Sequence, residues 1–523
     1  MKPRYRAIGI LLVAALLAPG LLSPAVVKSP SAKRTSAYLA TDISVTLNPY
    51  GIAPLAALAE FTTQFPCSVT LEVQGEIPIV KDFKDETTSH SIPIVGLYPG
   101  RVNAVVLTLY RHHGTPEIQI LSIPTEPLPD FFPVLEIATA IPALMEPGFN
   151  VSDFAYFAGT RFIVTPFIFD ARGQVRAYFS LAQTPGQAFP FEWMANGNFI
   201  YGVGASIYEI DIMGQLRNKL TTPGYTHHHD IKELPDGNLI AAVNKAGSQI
   251  INSRGVVNSI EDFVIQLNRA TGAIMNEWDL RALLDVSRNE VINNVGDWFH
   301  MNGIWYSAAD DCLILSGRHQ GIVKVTRDNR LKWILAGHDG WEYAGWDGSG
   351  SETEPYLLRA VDAAGASYDD IIQNGFAAAD DFDWTWGQHD PQILPGGHLI
   401  CFDNGFRRLF SDLGPYYSRN AEYEIDEKAM TVRQVWQYGK ERGMDLYSTI
   451  ISSVDRLPTT GNRLMAPGVV QLPTESYAKV VEVTYPAGQV VFEAKIGLRN
   501  LYVTPAGGFD IVYRSRRIPS LYD

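Results

Sequence analysis

The sequence predicts an all-β protein, a six-bladed β-propeller preceded by a small antiparallel β-sandwich-like domain. Three observations predict it. Short runs of β-branched and aromatic residues alternate with Gly, Pro, Asn and Asp turns along most of the chain. A pair of turn signals recurs six times after residue 150. The chain has 523 residues, 46% hydrophobic and 19% charged, which is enough for one large β-architecture with an appendage. The net charge of −14, with no Lys/Arg cluster beyond the first residues, excludes a nucleic-acid partner. Cys67, Cys312 and Cys401 are far apart and form no CxxC pair, so neither a disulfide framework nor a cysteine metal site is indicated.

Residues 1–35 are a targeting segment. Lys2, Arg4 and Arg6 precede an apolar run from Ala7 to Val27, and Lys28, Lys33 and Arg34 follow it. The run could span a bilayer core of ~30 Å as a membrane anchor. Pro19, Pro24 and the small residues around Ser23 instead resemble a cleavage region, and a cleaved export signal is the favoured reading. Either way the protein works in the periplasm or elsewhere outside the cytoplasm, away from ATP and other activated cytosolic donors.

Residues 36–149 read as an N-terminal β-domain and linker. Runs such as Cys67–Val73 and Val105–Leu109 are strands, and Pro124, Pro127, Pro129, Pro133, Pro142 and Pro147 suit an extended connection.

Residues 150–523 carry the repeat. One hairpin signal starts at Asp170, Asp211, Arg269, Thr326, Asp426 and Tyr485. A second, entering an apolar strand, starts at Ala195, Pro235, Ala309, Pro395, Thr459 and Pro505. Asn-Gly and Asp-Gly turns between alternating strands, paired six times over, describe blades of four strands.

In a propeller the innermost strands converge on a central channel, so residues just before the second turn meet at one mouth. Three blades place histidine there, as His229-Asp-Ile-Lys, His300-Met-Asn-Gly and His389-Asp-Pro-Gln, in a chain with 11 histidines. His227 and His228 extend the first to a run. Alternate strand residues face opposite sides, so not all three reach the mouth. The spacing favours His229, and His228 takes its place if a bulge shifts the register. Arg318, in Leu315-Ser-Gly-Arg-His-Gln-Gly, falls in a loop near the same mouth, where a guanidinium fork would bind sulfate, phosphate or carboxylate. His319 should point away. Imidazoles so placed can act as nucleophile, general acid or base, or metal ligand. A metal-dependent lyase or hydrolase with a three-histidine zinc site, and a non-catalytic docking propeller, both remain open on the residues alone.

The strings Asp297-Trp-Phe-His-Met-Asn, Leu315-Ser-Gly-Arg-His-Gln-Gly, Gly387-Gln-His-Asp-Pro-Gln and Phe402-Asp-Asn-Gly resemble the bacterial aryl-sulfate sulfotransferases that work without a nucleotide donor. Leu47-Asn-Pro-Tyr-Gly-Ile-Ala-Pro-Leu and Gly96-Leu-Tyr-Pro-Gly-Arg-Val-Asn resemble that family's leading β-domain. The resemblance implies a periplasmic enzyme that moves a sulfuryl group from an aryl sulfate ester to a phenolic acceptor by a ping-pong route. It implies that His389 is the nucleophile and becomes a sulfohistidine, that His300 and Asn302 lie beside the sulfate, that Arg318 binds it, and that His229, or His228 one position away, is the remaining histidine. It calls for no cofactor and no metal, and it implies dimerisation through the leading domain. Trp298, Phe299, Trp305, Trp384 and Trp386 flank these strings and are candidates to stack on aryl rings, although core packing is their commoner role.

Overall fold

A computed structural model describes residues 25–27, 36–158, 161–181, 188–288, 296–498 and 509–522. The expected targeting segment lies outside these residues, apart from Ala25–Val27, which pair with Val45–Leu47. Among the described residues no helix is long and apolar enough to cross a membrane.

The leading domain is one antiparallel sheet organised by a single long strand. Ala57–Val73 pairs with Ser44–Leu47, with Ile79–Ile94 and, over its second half, with Val102–Tyr110, which in turn pairs with Glu117–Pro124. Its burial alternates as period two requires: Val69, Leu71 and Val73 are buried, whereas Thr70 and Glu72 are not.

Six sheets with a four-stranded antiparallel core follow in chain order. From inner to outer strand the second is Glu192–Trp193, Phe199–Val203, Ser206–Ile210 and Leu216–Thr221. The innermost strands of the third to sixth are Tyr225–Glu233, Met301–Ser307, His389–Ile393 and Ser453–Arg456. The first sheet is closed by the end of the chain, because Ile511–Ile518 pairs with Phe149–Ala158. Val134–Ala140, within the segment read as linker, adds a strand to the outer edge of the sixth sheet by pairing with Val490–Leu498.

The expected turns fall where four-stranded blades need them. The first signal joins third to fourth strands and the second joins first to second. Gly237, in Pro235-Asp-Gly, takes φ +79°, a conformation that strains any L side chain. The copy at Pro505 lies outside the described residues.

The second strands of the third and fourth sheets are apolar through Leu239–Val243 and Cys312–Leu315 because both faces are buried. Leu239, Ala241 and Val243 pack toward the second sheet, while Ile240 and Ala242 pack toward the fourth. Leu313 and Leu315 likewise meet the third sheet and Ile314 the fifth. Each sheet is therefore sandwiched between its neighbours, the packing that a six-bladed propeller requires.

Polar bonds close the ring along its inner edge. A carboxylate on one inner or second strand accepts the backbone N–H of the next blade's inner strand: Asp153 from Phe191 at 3.1 Å, Asp230 from Ile304 at 2.7 Å and Asp390 from Val454 at 3.0 Å. Asn302 Nδ2 donates to the Gln388 carbonyl at 2.9 Å, and Ser453 Oγ to that of Ser515 at 2.9 Å.

Arg176 joins the leading domain to the first blade. Its guanidinium is buried, donates to the carbonyls of Gly96 (3.0 Å) and Ile77 (2.8 Å) and to Asp170 (3.1 Å), and lies over the Tyr98 ring. Arg176→Met leaves Asp170 buried without its cation, and a loss of about 3–5 kcal/mol is expected. Arg172→Ala breaks an exposed pair with Glu76 and should cost less than about 1 kcal/mol. Denaturant unfolding of the two variants checks the contrast, and equal midpoints would contradict it.

Candidate active site

The histidine run enters the mouth on an irregular strand. The ladder between Tyr225–Glu233 and Leu239–Lys245 slips between His227 and Ile231, and His229 takes φ +52°. The bulge sends the three rings different ways. His227 turns to Thr222 Oγ1 at 2.9 Å. His228 and His229 both stay at the mouth, with Nδ1 atoms 3.1 Å apart. His229 also meets the His300 ring edge-on at 4.9 Å and lies 3.7 Å from a Glu261 oxygen. Both His228 and His229 therefore lie at the mouth, and His229 meets the His300 ring of the next blade.

His300 also has positive φ, at +55°. Its Nδ1 lies 2.7 Å from Asp297 and 2.9 Å from Glu261. His319, expected to point away, stacks on His300 at 4.9 Å and bonds the Asp297 carbonyl through Nδ1. It turns inward because the chain reverses between Cys312–Gly317 and Gly321–Thr326, with the Arg318 and His319 N–H groups donating to the carbonyls of His300 and Phe299.

His389 is 2% exposed. Its Nδ1 is 2.7 Å from Asn404 Oδ1, and the Ile451 backbone N–H donates to Nε2 at 3.1 Å. Asn404 Nδ2 is spent on the carbonyls of Ser448 and Ile451, so its oxygen faces the ring and fixes the Nδ1–H tautomer. The Nε2 lone pair is the one available for chemistry. Asn302 is fully buried. Its amide bonds the Gln388 carbonyl, and so it supports the residue before His389. Gln388 Nε2 donates to Gly317 at 2.8 Å, which draws the His389 and Arg318 segments together. Arg318 is 9% exposed. It donates once, to the Thr449 carbonyl at 3.3 Å, and lies over the Phe406 ring. Its Nε meets no acceptor, and among the described residues no carboxylate forms an ion pair with it.

Environment separates these groups by charge. Burial, reinforced by the positive charges of Arg318 and His300, holds His389 well below the usual histidine range, although its hydrogen bond to Asn404 acts the other way. Burial lowers His229 to about 3 despite Glu261, and it lowers His228 as well. His300 is buried too, but Glu261 and Asp297 outweigh the desolvation and raise it to about 9. Burial lowers Arg318 to about 10, so it is a cation at neutral pH. The mouth therefore holds neutral imidazoles at His228, His229 and His389 beside two cations, His300 and Arg318.

Atoms able to hold a metal gather in two groups, His228–His229–Glu261 and Asp297–His300–His319. Among the described residues neither contains His389, so the three histidines of the alternative zinc reading do not gather in one group. Trp298, Trp384 and Trp386 are buried in packing, their indole N–H groups bonded to Asp262, Ile372 and Asp383. Phe299 is buried against Gly317, and half-buried Trp305 packs at the edge of the core shared by the fourth and fifth blades. Sequence reasoning missed Glu261, Asn404 and Ile451. Asn404 and Asp297 lie inside strings already singled out, and that was the available signal. Glu261 lies in no repeat position.

A buried neutral imidazole, a guanidinium without a carboxylate partner and a carboxylate-held imidazolium thus meet at the inner edge of the sheets. Residues 150–502 match the family model described as arylsulfotransferase (ASST), and residues 44–126 match the arylsulfotransferase Ig-like domain. The chain belongs to the arylsulfotransferase family. It is 29% identical over 507 residues to the arylsulfate sulfotransferase AssT of Escherichia coli O6:H1 (strain CFT073), covering 79% of this chain and 82% of that one. It is 28% identical, with the same coverage, to AssT of Lelliottia amnigena. Among solved structures, the WD40 domain of Toxoplasma gondii coronin aligns at TM-score 0.35 and 7% identity over 72% of this chain and 89% of that one, too loosely to bear on the fold.

A guanidinium buried without a paired carboxylate costs desolvation that a long hydrogen bond to Thr449 and the Phe406 face return only in part. Arg318→Met should therefore stabilise the substrate-free protein, by roughly 1 kcal/mol or more, while abolishing stabilisation by added sulfate. Thermal unfolding with and without sulfate measures both, and a melting point below that of the wild type would show the guanidinium to be structural.

Proposed function

We propose that this arylsulfotransferase takes a sulfuryl group from an aryl sulfate ester and gives it to a phenolic acceptor through a sulfohistidine at His389. The observation that carries the reading is the neutral His389 imidazole, its tautomer set by Asn404, beside the unpaired Arg318 cation. Once the Ile451 N–H turns aside, the Nε2 lone pair forms the N–S bond as the S–O(aryl) bond breaks. Arg318 and His300 stabilise the charge on the sulfuryl oxygens and the departing phenolate. His300, raised to about 9, is close enough to a phenol at about 10 to hand its proton to the leaving oxygen. It then takes the proton of the incoming phenol, whose oxygen forms the new S–O bond while the N–S electron pair returns to Nε2. His229 is neutral at working pH and lies against His300, where it buffers the cation. The terminal segment supports export to the periplasm as the setting, where the sulfate ester itself supplies the activated group.

With 4-nitrophenyl sulfate as donor, nitrophenolate release should require an added phenol, survive a chelator, and fall by at least about 1,000-fold in His389→Ala. Release that depends on metal and survives that substitution would refute the reading and favour a metal-dependent hydrolase.

The rate should also depend on protonated His300. It should hold steady from neutrality and fall as pH rises through about 9. Glu261→Gln removes a charge that raises His300, so it should move this limb to lower pH. A limb that stays in place would remove His300 from the proton transfer.

A further inference from the structure

The closing strand Ile511–Ile518 reaches the inner strands of the third, fourth and fifth blades at or next to a site residue, and it also contacts those of the second and sixth. Tyr513 Oη donates to the His229 carbonyl at 3.0 Å. Arg514 Nη1 donates to Asp230, the next residue, at 2.8 Å and to Glu192 at 2.9 Å, while Nη2 donates to the Asn302 carbonyl at 2.8 Å. Arg516 grips both oxygens of Asp390, the residue after His389, at 2.7 and 2.6 Å, and donates to the Val454 carbonyl at 2.9 Å. Asp390 has φ +54°, a left-handed conformation that a non-glycine residue keeps only when its surroundings hold it. The ladder slips between His389 and Gln392 at the same place. A strained residue directly after the nucleophile is thus pinned by a two-pronged ion pair that only an arginine can make.

We infer that Arg516, acting through Asp390, positions the His389 imidazole for attack, and that Arg514, acting through Asp230 and Asn302, sets the His229 and His300 side of the mouth. Neither arginine touches substrate. Both are positioning residues, and the strand that locks the ring is also the template of the site. The inference rests on the assignment of His389 as nucleophile.

Arg516→Lys keeps the charge but loses the fork, and it is the primary test because Arg516→Ala would leave Asp390 unpaired and could fail to fold. In the folded Arg516→Lys enzyme, kcat for transfer from 4-nitrophenyl sulfate should fall 10- to 100-fold with KM changed less than threefold, since Arg318 is untouched. Arg318→Lys should show the opposite split, with KM for the sulfate ester rising more than tenfold. Imidazole ¹⁵N spectra, with His389 assigned from His389→Gln, should show its Nδ1–H resonance displaced in Arg516→Lys. Unchanged kcat and an unmoved His389 signal in a folded variant overturn the inference. A displaced signal in a protein that transfers no sulfuryl group leaves the clamp standing and sinks the assignment of function instead.

Discussion

Convergence of the inner strands on one axis is the constraint that organises this molecule. Six sheets bring their inner edges together where water is largely excluded, so polar groups there must satisfy one another. The chain meets this with a repeated device, a carboxylate that accepts the N–H of the next blade, and with two arginines on the last strand that tie those carboxylates together. Buried ion pairs return little net stability, because desolvation cancels most of the attraction. What they give is direction. A carboxylate held from two sides cannot drift, nor can the histidine joined to it.

The same low dielectric lets one residue type play opposite parts. His229 and His300 are ring neighbours at 4.9 Å, yet burial drives the first to about 3 while two carboxylates drive the second to about 9. Two adjacent imidazolium ions would repel strongly at that distance, so charging His300 helps keep His229 and His389 neutral. Glu261 chooses which ring carries the proton. Arg318 completes the division: Asp297 and Glu261 act on it through space without pairing, and its guanidinium meets the Thr449 carbonyl and the Phe406 face instead.

Much of the fold was legible in the sequence because turn chemistry is local. An Asp-Gly turn writes its own geometry, and period-two burial writes the strand. The three mouth histidines were legible for the same reason, being registered to those turns. What escaped depends on distant partners. The sequence Tyr513-Arg-Ser-Arg-Arg has no role in the sequence reading, yet Arg514 is buried against Asp230, 284 residues away. Glu261 carries no local mark, since its role comes from rings on two other strands. The choice between His228 and His229 failed to resolve because the bulge puts the left-handed residue at His229 in one blade and at Asp390 in another. Blades that align without a gap in sequence are therefore offset by one in backbone conformation. Val134–Ala140 was hidden by the prolines around it, which punctuate the segment without entering the strand.

That distance has a consequence for how activity arises. The contacts that align the mouth span 126, 212 and 284 residues, and pairings of such separation form late because loop closure must be paid before they contribute. The first and last strands of the propeller meet in one sheet, so the ring closes only after the whole chain is present. Without the strand Ile511–Ile518, Asp230 and Asp390 lack the cations that fix them. An incomplete chain would then hold the site's residues without its geometry. The geometry of the mouth and the closure of the ring of sheets depend on the same strand.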